Sequence, residues 1–279
     1  MMDQDMNYSQ DNKFIPVTSV SAHNGEQVTE DLYYYTNQVV NICIHGNSEG
    51  WVLIDTGMPK SAREILSVVE NHLGKGARPT AIILTHGHFD HVGASVELVR
   101  HWEVPVYAHE LELPYLTGKS DYPEPDPSVE GGLVAKVSSY FPNESTDLSG
   151  HVHALPEDGT VPGMEDWSWI HTPGHSPGHV SLFRETDRTL IAGDAFVTVR
   201  QDSLYKVIVQ KQEVCGPPRY FTTDWNQAWE SVKKLEALKP RLAVTGHGTY
   251  MEGEKLAEGL SKLVQEFKAV AIPDYGKYV

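Results

Sequence analysis

The chain has 279 residues, 40% of them hydrophobic and 22% charged, which is the balance of a folded soluble protein with a sizeable core. Its formal net charge is -16, with 22 Lys and Arg against 38 Asp and Glu and no basic run, so a nucleic-acid surface is excluded as the working reading. No apolar run approaches ~18 residues, so no membrane span is expected.

The N-terminal stretch is polar and acidic, without the basic and apolar regions of an export signal. Residues 1–13 are expected to be a mobile tail, with one domain over 14–279. Cys43 and Cys215 read as free thiols, and together with the missing signal they point to a cytoplasmic protein. The sequons at Asn7 and Asn143 read as chance.

Strands are expected at Leu32–Tyr35, Val39–His45 and Trp51–Asp55, the last two joined by a turn at 46–50. Ser61 and Glu64 have capping-box spacing, and Ala62, Ile65, Leu66, Val69 and Leu73 recur as one helical face. A buried strand at Ala81–Leu84 runs into Thr85-His86-Gly87-His88-Phe89-Asp90-His91. A helix over about Ala94–His101 and a strand at Val106–Ala108 follow.

Residues 117–150 carry a Pro-rich stretch and Gly131-Gly132, with a short helix possible over Leu133–Tyr140. They read as an insertion lying over the surface. In the second half, Trp167–His171, His179–Arg184, Leu190–Ala192 and Leu242–Thr245 have strand character. Residues 196–221 read as long and irregular, and Trp225–Leu238 and Glu254–Ala271 as helices. Each half is strands first, then alternating helices and strands, so two sheets would bury against each other with helices outside: an α/β sandwich.

His86, His88, Asp90 and His91 crowd potential ligands into one short segment. In extended backbone, side chains two apart project to the same side, so His86 and His88 can grip one ion. Asp90 and His91 sit where the chain turns into a helix and can face a second. Imidazole with carboxylate suits Zn, Fe, Mn, Co or Ni, and no cysteine lies near the cluster.

This segment resembles the His-x-His-x-Asp-His signature of the metallo-β-lactamase superfamily. Thr172-Pro173-Gly174-His175-Ser176-Pro177-Gly178-His179 resembles its third-histidine loop. Leu190-Ile191-Ala192-Gly193-Asp194 resembles its bridging-aspartate strand, and Thr245-Gly246-His247-Gly248 its last ligand loop. Asp55-Thr56-Gly57 matches as a supporting turn. The resemblance covers roughly 14–271. It implies an αββα sandwich with His86, His88 and His175 on one metal and Asp90, His91 and His247 on a second. Asp194 would bridge them, and His179 would be a hydrogen-bonding neighbour.

A metal pair of this kind lowers the pKa of a shared water toward ~7, giving a bridging hydroxide without a side-chain nucleophile. Asp90, at the metal edge, is the candidate proton shuttle and so the expected catalytic residue. No Gly-x-Ser-x-Gly elbow or phosphate loop offers another chemistry. The pattern is similar to the glyoxalase II-like, lactonase-like and YflN-like hydrolases. The expected substrate is a small ester, lactone or thioester, and the expected cofactors are two divalent ions, Zn first. A phosphodiesterase and a mononuclear iron dioxygenase of the same fold are the alternatives; the full second set of ligands argues against the latter. The resemblance leaves the physiological substrate and the oligomeric state open. Selectivity is expected from 117–150 and 196–221, with Tyr205, Lys206, Arg219 and Tyr220 as polar candidates. His151, His153 and His171 read as structural or solvent-facing residues, and His23, His45, His72, His101 and His109 carry no signal.

Overall fold

In the computed structural model, residues 6–8, 19–130, 133–199 and 212–279 are described. The strands in chain order are β1 (Asn7–Tyr8), β2 (Gly25–Thr29), β3 (Leu32–Asn37), β4 (Val40–Asn47), β5 (Gly50–Ile54), β6 (Ala81–Ile83), β7 (Val106–Ala108), β8 (Thr146–Asp147) and β9 (Val152–Ala154). The second half adds β10 (Thr160–Val161), β11 (Met164–His171), β12 (Val180–Arg184), β13 (Thr189–Gly193), β14 (Val197–Val199), β15 (Gln212–Cys215), β16 (Leu242–Thr245) and β17 (Met251–Glu252). The helices are α1 (Ala62–Leu73), α2 (Phe89–Val92), α3 (Ser95–Trp102), α4 (Leu113–Leu116), α5 (Leu133–Val137), α6 (Trp225–Ala237) and α7 (Gly253–Val270).

One sheet runs β2-β3-β4-β5-β6-β7-β9 and the other β10-β11-β12-β13-β16-β17. The inner faces share a core: Leu32, Val52, Ile54 and Ile83 of the first sheet meet Trp167, Leu182, Ile191 and Val244 of the second. The outer face of the first sheet packs Ile42, Leu53 and Ile82 against Ile65 and Val69 of α1 and Val99 of α3. The outer face of the second packs Leu190 and Ala243 against Val232 of α6 and Leu260 and Phe267 of α7. The result is the αββα layering.

Helix α7 buries Leu256, Leu260, Leu263 and Phe267 on one stripe and has no side-chain hydrogen bond at its N-cap. Full burial of such a side chain is worth about 1.5–3 kcal/mol, more than a cap supplies, so packing holds this helix. Asp224 caps α6 by accepting from the Gln227 amide at 2.9 Å. The capping box expected at Ser61 and Glu64 does not form, and no side chain caps α1. Glu64 instead accepts from Tyr35 Oη at 2.8 Å and Asn37 Nδ2 at 2.9 Å, fastening α1 to β3. These tertiary donors outcompete the local one.

Two loops differ from the sequence reading. Asn7–Tyr8, inside the stretch expected to be a tail, instead pairs antiparallel with Tyr8 opposite Thr146. Within the segment expected to be irregular, β14 and β15 pair antiparallel. Tyr205 and Lys206 lie outside the described residues. Cys43 is buried, Cys215 is partly exposed, and no disulfide joins them. Among the described residues no helix is long and apolar enough to cross a membrane.

The topology fixes where chemistry can sit. Strands β5 and β6 are parallel neighbours, as are β13 and β16. Their C-terminal ends release the loops holding Asp55, His86 to His91, Asp194 and His247. Side chains placed there converge at one edge of the sandwich, the edge favoured for ligands in sheets with parallel strands.

Candidate metal centre

Backbone bonds stitch the two sheets together at that edge. The Val180 amide donates to Thr85 O at 2.9 Å, and the Asn41 amide to Gly246 O at 2.7 Å. Asn41 Nδ2 also donates to Thr245 O at 2.8 Å and Gly248 O at 2.6 Å, so β4 holds the His247 loop.

The residues selected from sequence come together in a buried nest. His86, His88 and His175 place one ligand atom each within 4.8 Å of one another; so do Asp90, His91 and His247, and so do His86, His91 and Asp194. His88 Nδ1 lies 3.0 Å from His175 Nε2. Asp194 Oδ2 lies 3.4 Å from His175 Nε2, 3.6 Å from His91 Nε2 and 3.3 Å from His247 Nε2. Asp90 Oδ2 is 3.3 Å from His247 Nε2. Asp194 therefore stands between the two outer sets.

The rear ring nitrogens are spent on protein oxygens. His91 Nδ1 donates to Asp55 Oδ2 at 2.8 Å, and Asp55 also accepts from the Thr85 amide and hydroxyl, each at 2.8 Å. Since the Thr85 hydroxyl proton goes to Asp55, its oxygen accepts from His86 Nδ1 at 3.1 Å. His247 Nδ1 donates to Val39 O at 2.8 Å. His175 Nδ1 donates to Thr222 Oγ1 at 3.2 Å, and that hydroxyl donates onward to Pro218 O at 2.8 Å. Each bond turns the other ring nitrogen toward the nest, where His86 offers a lone pair and His247 offers one once its second proton is displaced.

The front atoms test whether the nest suits a metal. His86 Nε2, His91 Nε2 and Asp194 Oδ1 are buried without a hydrogen-bond partner. Unpaired buried polar atoms are costly, and their convergence is the signature of an ion site. A Cβ added at Gly246 would lie 2.1 Å from Asp194 Oδ1 and 2.8 Å from His91 Cε1. Only glycine lets the backbone pass there, and the donor set of imidazoles and carboxylates fits divalent ions.

His179 is different. Its Nε2 accepts from the Asp194 amide at 2.8 Å, so Nδ1 carries the proton and donates to Thr172 Oγ1 at 2.8 Å. With both nitrogens engaged it has no lone pair for an ion, and it orients the Asp194 backbone instead.

The charges are strongly coupled. Burial pushes His86 and His175 well below the ordinary imidazole range, and neighbouring histidines push further. Burial alone would also lower His247, but Asp194 and Asp90 outweigh it and raise it to about 10. Burial would raise Asp194, yet His247 and His91 hold it well below the usual carboxylate range. The carboxylates thus favour positive charge at His247, while burial disfavours it on His86 and His175.

Other residues take part that carry no local signal. Glu112, fully buried, and Tyr122, 4% exposed, bond to the ligand loops. Tyr122 belongs to the 117–150 segment, which therefore reaches into the centre as well as over the surface. Phe221 stacks on His88 with ring centroids 4.5 Å apart, and Phe141 packs beside it. Tyr220 is buried in the same apolar cluster. Arg219 faces elsewhere, donating to Ala271 O and Val270 O at 3.0 Å. His109, which carries no signal in the sequence, is buried and stacks on His171 at 4.2 Å.

The sequence matches the metallo-beta-lactamase superfamily over residues 36–247. The chain belongs to that superfamily, and it stands among the family's metal-dependent hydrolases. It is 47% identical over 260 residues to the "Probable metallo-hydrolase YflN" of Bacillus subtilis (strain 168), covering 92% of this chain and 98% of that one. It is 27% identical over 113 residues to the hydroxyacylglutathione hydrolase GloC of Haemophilus influenzae, covering 40% of this chain and 48% of that one. Among solved structures, TTHA1623 in a di-iron-bound form superposes with a TM-score of 0.52 at 28% identity, covering 76% of this chain and 89% of that one.

Proposed function

We propose that the chain is a dinuclear metal-dependent hydrolase of small carboxylic esters, lactones or thioesters. One observation carries the reading: His86 Nε2, His91 Nε2 and Asp194 Oδ1 are buried without a hydrogen-bond partner, on three residues whose ligand atoms lie within 4.8 Å of one another. In this reading His86, His88 and His175 would hold the first ion and Asp90, His91 and His247 the second, with Asp194 available to both. Two ions so held would supply an activated water as the nucleophile and polarise the substrate carbonyl. Zinc suits the donors, and the di-iron form of TTHA1623 makes iron the first alternative.

The protein's own residues divide the remaining work. Asp90, at 8% the most exposed of the set, is placed to hold a proton at Oδ2 during turnover. Asp55 keeps the His91 ring fixed, so little reorganisation accompanies charge development. Phe221 forms an apolar wall on the first-ion side, with Phe89 and Phe141 packed near it. That wall excludes water and favours a neutral acyl group over a charged phosphodiester. Support also comes from GloC, whose name is that of a thioester hydrolase.

The test is a screen of metal-loaded protein against thioesters, lactones, aryl esters and phosphodiesters. Carboxylic acyl substrates should be cleaved fastest, with activity lost on chelation and restored by Zn, Mn, Co or Fe. Phosphodiester cleavage far above every acyl substrate would overturn the substrate class.

A further inference from the structure

Glu112 ends the turn Glu110–Glu112 that follows β7, and its carboxylate is fully buried. No cation pairs with it among the described residues; hydrogen-bond donors surround it. Its Oε2 accepts from the Gly87 amide at 3.0 Å and from the Tyr122 hydroxyl. Its Oε1 accepts from the Ser176 hydroxyl at 2.8 Å and the Gly178 amide at 2.7 Å. Gly87 lies between His86 and His88, while Ser176 and Gly178 follow His175. One carboxylate therefore fastens both loops that supply the first set of histidines.

Tyr122 completes the arrangement from a distant part of the chain. Its hydroxyl accepts from the Gly87 amide at 2.9 Å while donating to Glu112. Its ring lies against His88 with centroids 4.6 Å apart, and Tyr115 stacks on it at 3.9 Å. A Cβ at Gly87 would fall 2.5 Å from the Tyr122 hydroxyl oxygen, so this contact accounts for the glycine inside the histidine motif. Burial pushes the Tyr122 hydroxyl well above its ordinary value and Glu112 adds to this, so it stays a donor.

We propose that Glu112 and Tyr122 are a positioning pair for the first ion, so that affinity at that site depends on the 117–150 segment. The inference rests on the metal reading given under the proposed function. A buried carboxylate is costly unless every lone pair is used, and here amide and hydroxyl donors use them. Those bonds fix the spacing of the His86, His88 and His175 rings before any ion arrives. The pair touches neither substrate nor ion; it acts through the loops.

The test is cobalt(II) titration against a competing chelator, on full-length protein stripped of metal. It is done in a His247→Ala background, which leaves the first site as the intact one. Tyr122→Phe removes the hydroxyl and little else; Glu112→Gln keeps volume but turns one acceptor into a donor facing other donors. Each should weaken cobalt binding by about tenfold or more. The thermal midpoint of the metal-free Tyr122→Phe protein should fall by only about 2–4 °C. Unchanged cobalt affinity in Tyr122→Phe overturns the pair, whether or not Glu112→Gln folds and whether or not the midpoint moves. If the His247→Ala parent binds no cobalt, the underlying metal reading falls with it.

Discussion

Asp194 is the residue on which both ion sets converge, and His179 lies one hydrogen bond behind it. Asp194→Ala should therefore strip both ions, whereas His179→Ala should leave metal content largely intact; elemental analysis of the two variants decides. Loss of an ion from His179→Ala but not from His175→Ala would reverse the assignment. Asp90→Asn keeps the shape but removes a proton acceptor, so kcat should fall about 100-fold or more with a smaller change in KM. His247 gives a pH signature. In the metal-free protein it is protonated up to about 10, so it carries its proton at pH 7 and an ion must displace it. Second-ion affinity should rise with pH through the neutral range, and calorimetry in buffers of differing ionisation enthalpy should detect proton release. The same raised value gives the metal-free fold a contribution present below 6.5 and lost as pH rises through about 10. At this scale the sequence was informative about which residues converge at the nest, because each sits in a short motif. Asn41, Glu112 and Tyr122 were not legible, because their partners are remote: Asn41 bonds residues 204 and 207 positions away.

At the scale of elements, the strand ends place the chemistry and a few polar clamps hold the sheets in register. Arg184 of β12 donates to Asp31, in the turn between β2 and β3, at 2.6 Å and to Asp187 at 2.7 Å. Its guanidinium also lies over the Trp167 ring, 5.0 Å from the centroid. Burial would raise the Asp31 and Asp187 carboxyls, but hydrogen bonding to Arg184 outweighs it and both are lowered. Groups lowered in the folded state stabilise it above their ordinary values, near 3.8, and lose that contribution as pH falls through their folded values. Both carboxylates are partly exposed, so screening keeps the effect modest. Arg184→Met should cost about 2 kcal/mol at pH 7, read by urea unfolding, and the deficit should shrink below pH ~4. A deficit that is the same at pH 3 would show that lost packing on Trp167, not charge, was responsible. Periodicity made α1, α6 and α7 legible because each buries one stripe. The Ser61–Glu64 pattern misled because a capping box is a local bond, and Tyr35 and Asn37 of β3 offered Glu64 better donors. Residues 117–150 misled in part for the same reason: nothing local says that Tyr122 reaches Gly87, 35 positions away.

Across the whole molecule, the two sheets close on a shared core while their loops close on a shared cation site. The layering was legible because each half repeats strands followed by alternating helices and strands, with apolar outer and inner faces. The position of the site followed from those strand ends once the ligand motifs were assigned to them. The central claim is that one fold edge holds a metal pair. Elemental analysis of protein purified without chelator, repeated after incubation with excess metal, tests it most directly. Two ions per chain is the predicted result. One tightly held iron per chain, with the second set still unfilled under metal excess, would contradict it.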